Sequence, residues 1–79
     1  MMSTQIEPEV NAVNKLRAKY RNVGQRTLAR RITERDFDNL EDRQLSVAAS
    51  PVSCPEATTY SRIRRFDKAH PVGNIPVAA

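Results

Sequence analysis

The chain has 79 residues, a net charge of +4 and a pI near 9.8; it allows one small domain and favours an acidic partner, namely nucleic acid, an anionic membrane surface or an acidic protein. Leu, Ile, Val and Phe together number only 17, Trp is absent, and Cys54 has no second cysteine to pair with. Cys54 and His70 are the only soft ligands, so neither a disulfide nor a Cys/His metal cluster can staple a core this poor, and stability is expected to come partly from a partner or from oligomerisation.

Met1 to Val13 lacks the basic start and apolar run of a secretory signal. No apolar stretch approaches the roughly 20 residues that span a bilayer. With the lone cysteine, this predicts a cytoplasmic protein, or one carried in a particle assembled in the cytoplasm.

Residues 1–7 are polar and expected to be loose. Pro8 suits the first turn of a helix, and Glu7 and Glu9 complement its N-terminal dipole. Val10, Val13, Leu16, Tyr20 and Val23 then recur at helical spacing and predict a helix over 9–23. Lys15, Lys19 and Arg26 flank that stripe on one side, Arg17 and Arg21 on the other. Asn22-Val23-Gly24 reads as the C-cap, with Gly24 left-handed. Leu28 and Ile32 carry a second helix over 25–32. From Lys15 to Arg35 eight basic residues stand against one acid, Glu34, whereas Asp36 to Asp42 holds four acids and no base.

Thr33-Glu34-Arg35-Asp36 resembles a capping box and predicts a third helix over 34–48 with Phe37, Leu40, Leu45, Val47 and Ala48. A continuous helix would set Leu28 and Ile32 nearly opposite Phe37, so a break is placed near Thr33. After a linker at 50–53, Ser53-Cys54-Pro55-Glu56 reads as another capping box, opening a basic helix over 54–69. His70-Pro71 stops it, and 71–79 is expected to form an extended Pro-rich arm with Val72, Ile75 and Val77 to bury on a neighbour. The fold class is mostly α: three or four short amphipathic helices with little independent core. The chain divides into a basic-then-acidic helical region at 8–49 and a separate basic amphipathic helix at 54–70.

No catalytic residue, cofactor or metal is expected. Cys54 and His70 bracket the last helix, about 24 Å apart at 1.5 Å per residue, too far for a nucleophile and its base. Asp36, Asp38, Glu41 and Asp42 read as acids offsetting a helix N-terminus, because a hard cation needs about six converging oxygens. With only Gly24 and Gly73 there is no phosphate-binding glycine loop. A helix-turn-helix starting at Leu28-Ala29 fails: Thr33 occupies the glycine position, Asn39 a buried one, and the recognition helix would carry four acids into a phosphate-lined groove. Leu40-Glu41-Asp42-Arg43-Gln44-Leu45, downstream of an arginine-rich helix, resembles the closing motif of short arginine-rich bacterial proteins. Ser46-Val47-Ala48-Ala49 replaces their Gly-containing continuation, and the resemblance implies no activity or site residue.

Each apolar stripe is rimmed with arginine and too small to close a private core, which suits a protein interface. The expectation is a non-enzymatic assembly protein (linker, cement or accessory subunit) that orders on larger acidic protein subunits within a multi-subunit complex. Val10, Leu16 and Tyr20 would anchor one contact, and Tyr60, Ile63 and Phe66 another. Arg17, Arg21, Arg30, Arg31, Arg62, Arg64 and Arg65 would pair with carboxylates. The alternative is sequence-nonspecific nucleic-acid binding through 15–35 and 62–68. A membrane-surface helix ranks below both, since the 10–23 stripe has no Trp or Phe.

Overall fold

The apolar stripes become four helices: α1 (Glu7–Lys19), α2 (Gln25–Glu34), α3 (Leu40–Ala49) and α4 (Glu56–Ala69). They are drawn from a computed structural model that describes residues 7–71, with no strand among them. The N-terminal segment and C-terminal arm lie outside the described residues, apart from Glu7, which opens α1, and Pro71.

The first helix starts earlier and stops sooner than its periodicity suggests. Glu7 and Glu9 occupy its first turn, Arg17 and Lys19 its last, so charge matches the helix dipole at both ends. It stops at Lys19 because Arg17 reaches forward. Its Nη1 donates to the carbonyl of Tyr20 at 3.1 Å and of Val23 at 2.5 Å, giving the turn's carbonyls the donors that further helix would have supplied. Tyr20 and Val23 keep the stripe's spacing and still pack on the core from that turn. Gly24 is not the left-handed C-cap of α1. It is the extended N-cap of α2, with φ −61 and ψ 151.

The break expected near Thr33 is real but displaced. Thr33 lies inside α2, where its hydroxyl donates to the Ala29 carbonyl at 2.9 Å, so it caps nothing and α3 does not begin at 34. The left-handed residue is Arg35, with φ 58 and ψ 36, whose N–H bonds back to the carbonyls of Arg31 and Ile32. Its guanidinium donates to Ile32 O and Thr33 O, both at 3.1 Å, and to Ser50 O at 2.6 Å. Arg35 thus satisfies carbonyls of α2's last turn and ties them to the α3–α4 connection. The working N-cap of α3 is Asn39, whose Oδ1 accepts from the Asp42 N–H at 2.7 Å. Ser53 does not cap α4 either, since Pro55 holds that position without a side-chain bond.

Helix α1 packs on α3 and α4, and α2 packs on the same two. Val13, Leu16, Leu28, Ala29, Ile32, Ala49 and Ile63 are fully buried, with Ala12 and Phe37 nearly so. Tyr20, Val23, Leu45 and Tyr60 close the rim. The core is small, and Ala supplies three of its nine members. The stripes nevertheless cover one another, which departs from the expectation that each needs an outside surface. Small residues such as Ala29 and Ala49 let the helices approach closely enough for that.

In urea the isolated chain is expected to unfold in one cooperative transition. Arg35→Ala should lower its stability by about 2 kcal/mol, because three hydrogen bonds go while the left-handed backbone remains strained. Arg35→Gly should cost about 1 kcal/mol less than Arg35→Ala, because glycine adopts that conformation freely. Equal losses would show that φ at this position carries no strain.

Candidate functional site

Two carboxylates organise the polar interior. Asp42, fully buried at the start of α3, accepts from the Tyr20 hydroxyl, from Asn39 Nδ2 at 2.9 Å and from Lys19 Nζ at 3.0 Å. Burial alone would raise its pKa. The bonds from Tyr20, Asn39 and Lys19, with the Lys19 charge, outweigh burial and hold the carboxyl below its usual value. The same hydrogen bond to Asp42 raises the pKa of Tyr20 and of Lys19. Asp67, on α4, receives Arg17 in a two-pronged pair, Nε at 2.8 Å and Nη2 at 2.9 Å. Gln25 Nε2 adds a bond at 2.6 Å, and Arg21 Nη1 stands 3.5 Å away. The Arg17 bond, opposed by burial and helped by Gln25 and the two positive charges, lowers the Asp67 pKa.

These networks absorb many of the residues expected to meet a partner. Leu16 and Ile63 are fully buried and Arg17 nearly so, so none of the three can anchor an outside contact in this fold. Arg62 pairs with Glu9 of α1 at 2.9 Å. Arg21 donates to the His70 carbonyl at 2.7 Å and lies over the Phe66 ring. Arg31 lies over both Tyr20 and Phe37 and donates to the Asp36 carbonyl at 3.3 Å. Val10 and Phe66 line a small cleft of about 140 Å³ between α1 and α4. Tyr20 and Tyr60 are half-buried, while Arg30, Arg64 and Arg65 stand exposed.

What remains outside is a basic face. Ser61, Arg64, Arg65 and Lys68 recur at i, i+3, i+4 and i+7 on the outer side of α4, all exposed. With Gln25 and Asp67 they line a groove of about 630 Å³. Arg26 of α2 lies 5.1 Å from the centre of the Tyr60 ring, and Arg64 of α4 lies 5.8 Å from the same ring, so one aromatic side chain gathers cations from both helices. Arg26, Arg64, Arg65 and Lys68 form no ion pair with a carboxylate among the described residues. The groove's single acid, Asp67, is already held by Arg17, Gln25 and Arg21. Beside it opens the N-terminus of α2, with no side-chain cap and no acid in its first turn.

Gln25, Arg26 and Lys68 fall inside the segments 15–35 and 62–68 read from the sequence as nucleic-acid-binding, though not among the individually named contact residues, and Ser61 lies outside both. The signal was present for α4: the stripe of Tyr60, Ile63 and Phe66 implies an opposite stripe, and that opposite stripe is Ser61, Arg64, Arg65 and Lys68. Nothing local in the sequence brings Arg26 to Tyr60. The Cys54 thiol lies 3.7 Å from Pro55 O and 3.9 Å from Thr59 Oγ1, whereas His70, at the far end of α4, bonds to Phe66 O and stacks on its ring. No group of three or more His, Cys, Asp or Glu side chains among the described residues could hold a metal, and no described helix is long and apolar enough to cross a membrane. Comparison with family models, curated proteins and solved structures finds no match.

The carboxylates set a pH window. Both Asp42 and Asp67 have lowered folded-state pKa values. Their stabilisation is therefore present above the unfolded carboxylate pKa, about 4, and is lost as pH falls through the folded values. Tyr20 and Lys19 are shifted up, so their contribution is present below about pH 10 and is lost as pH rises through the folded values. Thermal melts followed by circular dichroism should give a plateau in Tm between those limits and a fall at each end. Asp42→Asn should flatten both edges. An unchanged acid edge in Asp42→Asn would assign that edge to Asp67.

Proposed function

We propose that this chain is a non-enzymatic binding protein that holds the phosphate backbone of nucleic acid, without sequence preference, on the basic face shared by α2 and α4. The observation that carries this reading is the set Arg26, Arg64, Arg65 and Lys68: four cations on one face, unpaired with described carboxylates, beside an open helix N-terminus. Arginine forks and backbone N–H groups at a helix start both suit phosphate oxygens.

The same face fits an acidic protein partner less well. A protein interface places apolar and aromatic groups at its centre and keeps charge to the rim. Here the apolar anchors Leu16 and Ile63 are buried in the chain's own core, and the exposed face has cations at its centre. Phosphate contacts fix position without reading bases, which accounts for the absence of sequence preference in this reading. Assembly on larger protein subunits keeps separate support on α3, where Leu40 is 66% and Val47 54% exposed, seven residues apart and so on one side, and in the connection after α3, where Val52 is fully exposed. Leu40→Ser with Val47→Ser would remove that surface without touching the basic face.

Fluorescence anisotropy with a labelled duplex tests the phosphate reading. The logarithm of affinity should fall with the logarithm of salt concentration with a slope of about −3.6 for the four cations, and each of Arg64→Ala and Lys68→Ala should reduce that slope by about 1. Arg64→Glu with Lys68→Glu should abolish binding at moderate salt. Gly24→Asp should separate fold from function: an acid at the N-cap stabilises α2 by a few tenths of a kcal/mol, yet it should weaken binding by opposing phosphate. Unchanged affinity in the double charge reversal would refute the reading.

A further inference from the structure

We infer that the nucleic acid held on this face is double-stranded and is touched at its phosphates alone, with no base stacked on the protein. The inference rests on the phosphate reading above and deepens it.

Proteins that hold single strands combine a cationic groove with aromatic rings on which unpaired bases stack. This chain has four aromatic side chains and no Trp, and each ring is already occupied. Phe37 is 5% exposed. Tyr20 lies 5.4 Å from Phe37, centre to centre, with Arg31 over it at 5.6 Å and its hydroxyl on Asp42. Phe66 stacks on His70 at 4.2 Å and has Arg21 over it at 5.3 Å. Tyr60, the one ring next to the groove, carries Arg26 and Arg64. None of the four is exposed. A base could stack on Tyr60 only by displacing arginines that the phosphates themselves would use.

With stacking unavailable, the face attracts through its cations and the N–H groups at the start of α2, both of which address phosphate, and charge favours the denser polyanion. A duplex presents one negative charge per about 1.7 Å of axis, a single strand about half that. The cations on α4, from Arg64 to Lys68, extend over about 6 Å of helix axis. That length reaches about two phosphates along one strand, while Arg26, on the neighbouring helix, reaches to the side of that line. A stiff backbone also arrives already ordered, whereas a single strand would lose conformational freedom with no stacking to offset the loss.

The test is competition on the 79-residue chain. A labelled duplex, the single strand of the same sequence, and polyglutamate would be compared at equal charge concentration and low salt. The duplex should bind about tenfold more tightly than the single strand, and its salt slope should be the steeper one, by the ratio of about 0.9 to 0.7 per phosphate. Tyr60→Leu should leave the ratio of duplex to single-strand affinity unchanged if it lowers both. Equal or tighter binding to the single strand, or selective loss of single-strand binding in Tyr60→Leu, overturns this inference and leaves the phosphate reading standing. Polyglutamate bound as tightly as the duplex, or no binding to either nucleic acid, overturns both.

Discussion

The guanidinium of Arg17 lies where α1, the turn after it and α4 meet, and each of its nitrogens has a partner there. Two of them grip Asp67 side by side; the third holds the carbonyls of Tyr20 and Val23. Because Gln25 bonds to the same carboxylate, this one ion pair fixes the end of α1, the path of the turn, the start of α2 and the position of α4. A planar fork with five donors can do this; an ammonium could not reach the same acceptors at once. The pair's cost is desolvation, since the Arg17 side chain is 7% exposed and that of Asp67 19%; the two-pronged contact and the further bonds on every guanidinium nitrogen and both carboxylate oxygens offset that cost.

Arginine therefore has two separate roles in this chain. Arg17, Arg21, Arg31, Arg35 and Arg62 hold backbone carbonyls, carboxylates or aromatic rings of the protein itself. Arg65 and Lys68 face outward without such a contact, and Arg26 and Arg64 are exposed beside them while also lying over the Tyr60 ring. A high proportion of basic residues reads the same way in a composition whether the charge is internal glue or a binding surface. The three-dimensional arrangement separates the two, and it leaves the outward set on the α2–α4 side, while Asp36, Asp38 and Glu41 stand exposed around the start of α3.

The helices were legible in the sequence because apolar spacing and proline placement are local. Their ends were not. Tyr20 and Val23 continue the period of α1 from a turn, since a residue can pack on a core from outside a helix as well as within it. Thr33 looks like a cap and is a helix-interior residue bonded back to Ala29, while Asn39, which does cap, opens an Asn-Leu-Glu-Asp stretch with the same cap-and-acid spacing as Thr33-Glu34-Arg35-Asp36, so the letters alone offer two starts and do not choose between them. Arg35 takes the conformation usually left to glycine. The candidate face was half legible: its α4 stripe follows from helical arithmetic, but its α2 half depends on which helices become neighbours. The anchors were misread for a related reason. An apolar stripe says that a face is covered, and not whether the cover is the same chain or another.

The separation between Arg17 and Asp67 in the chain, 50 residues, has a consequence for how sequences with this fold can drift. Changing Asp67 alone strands the Arg17 charge in a nearly dry site, and changing Arg17 alone leaves Asp67 with Gln25 and Arg21 but without its two-pronged partner, so the two positions are coupled. The outward cations are under no such tie. Arg64, Arg65 and Lys68 can trade places, or be replaced by a neighbour one helical turn away, as long as the field over the groove is kept. Drift in this chain should thus run at two speeds: a slow, coupled exchange at the join of α1 and α4, and a rapid reshuffling of individual charges across the face of α4.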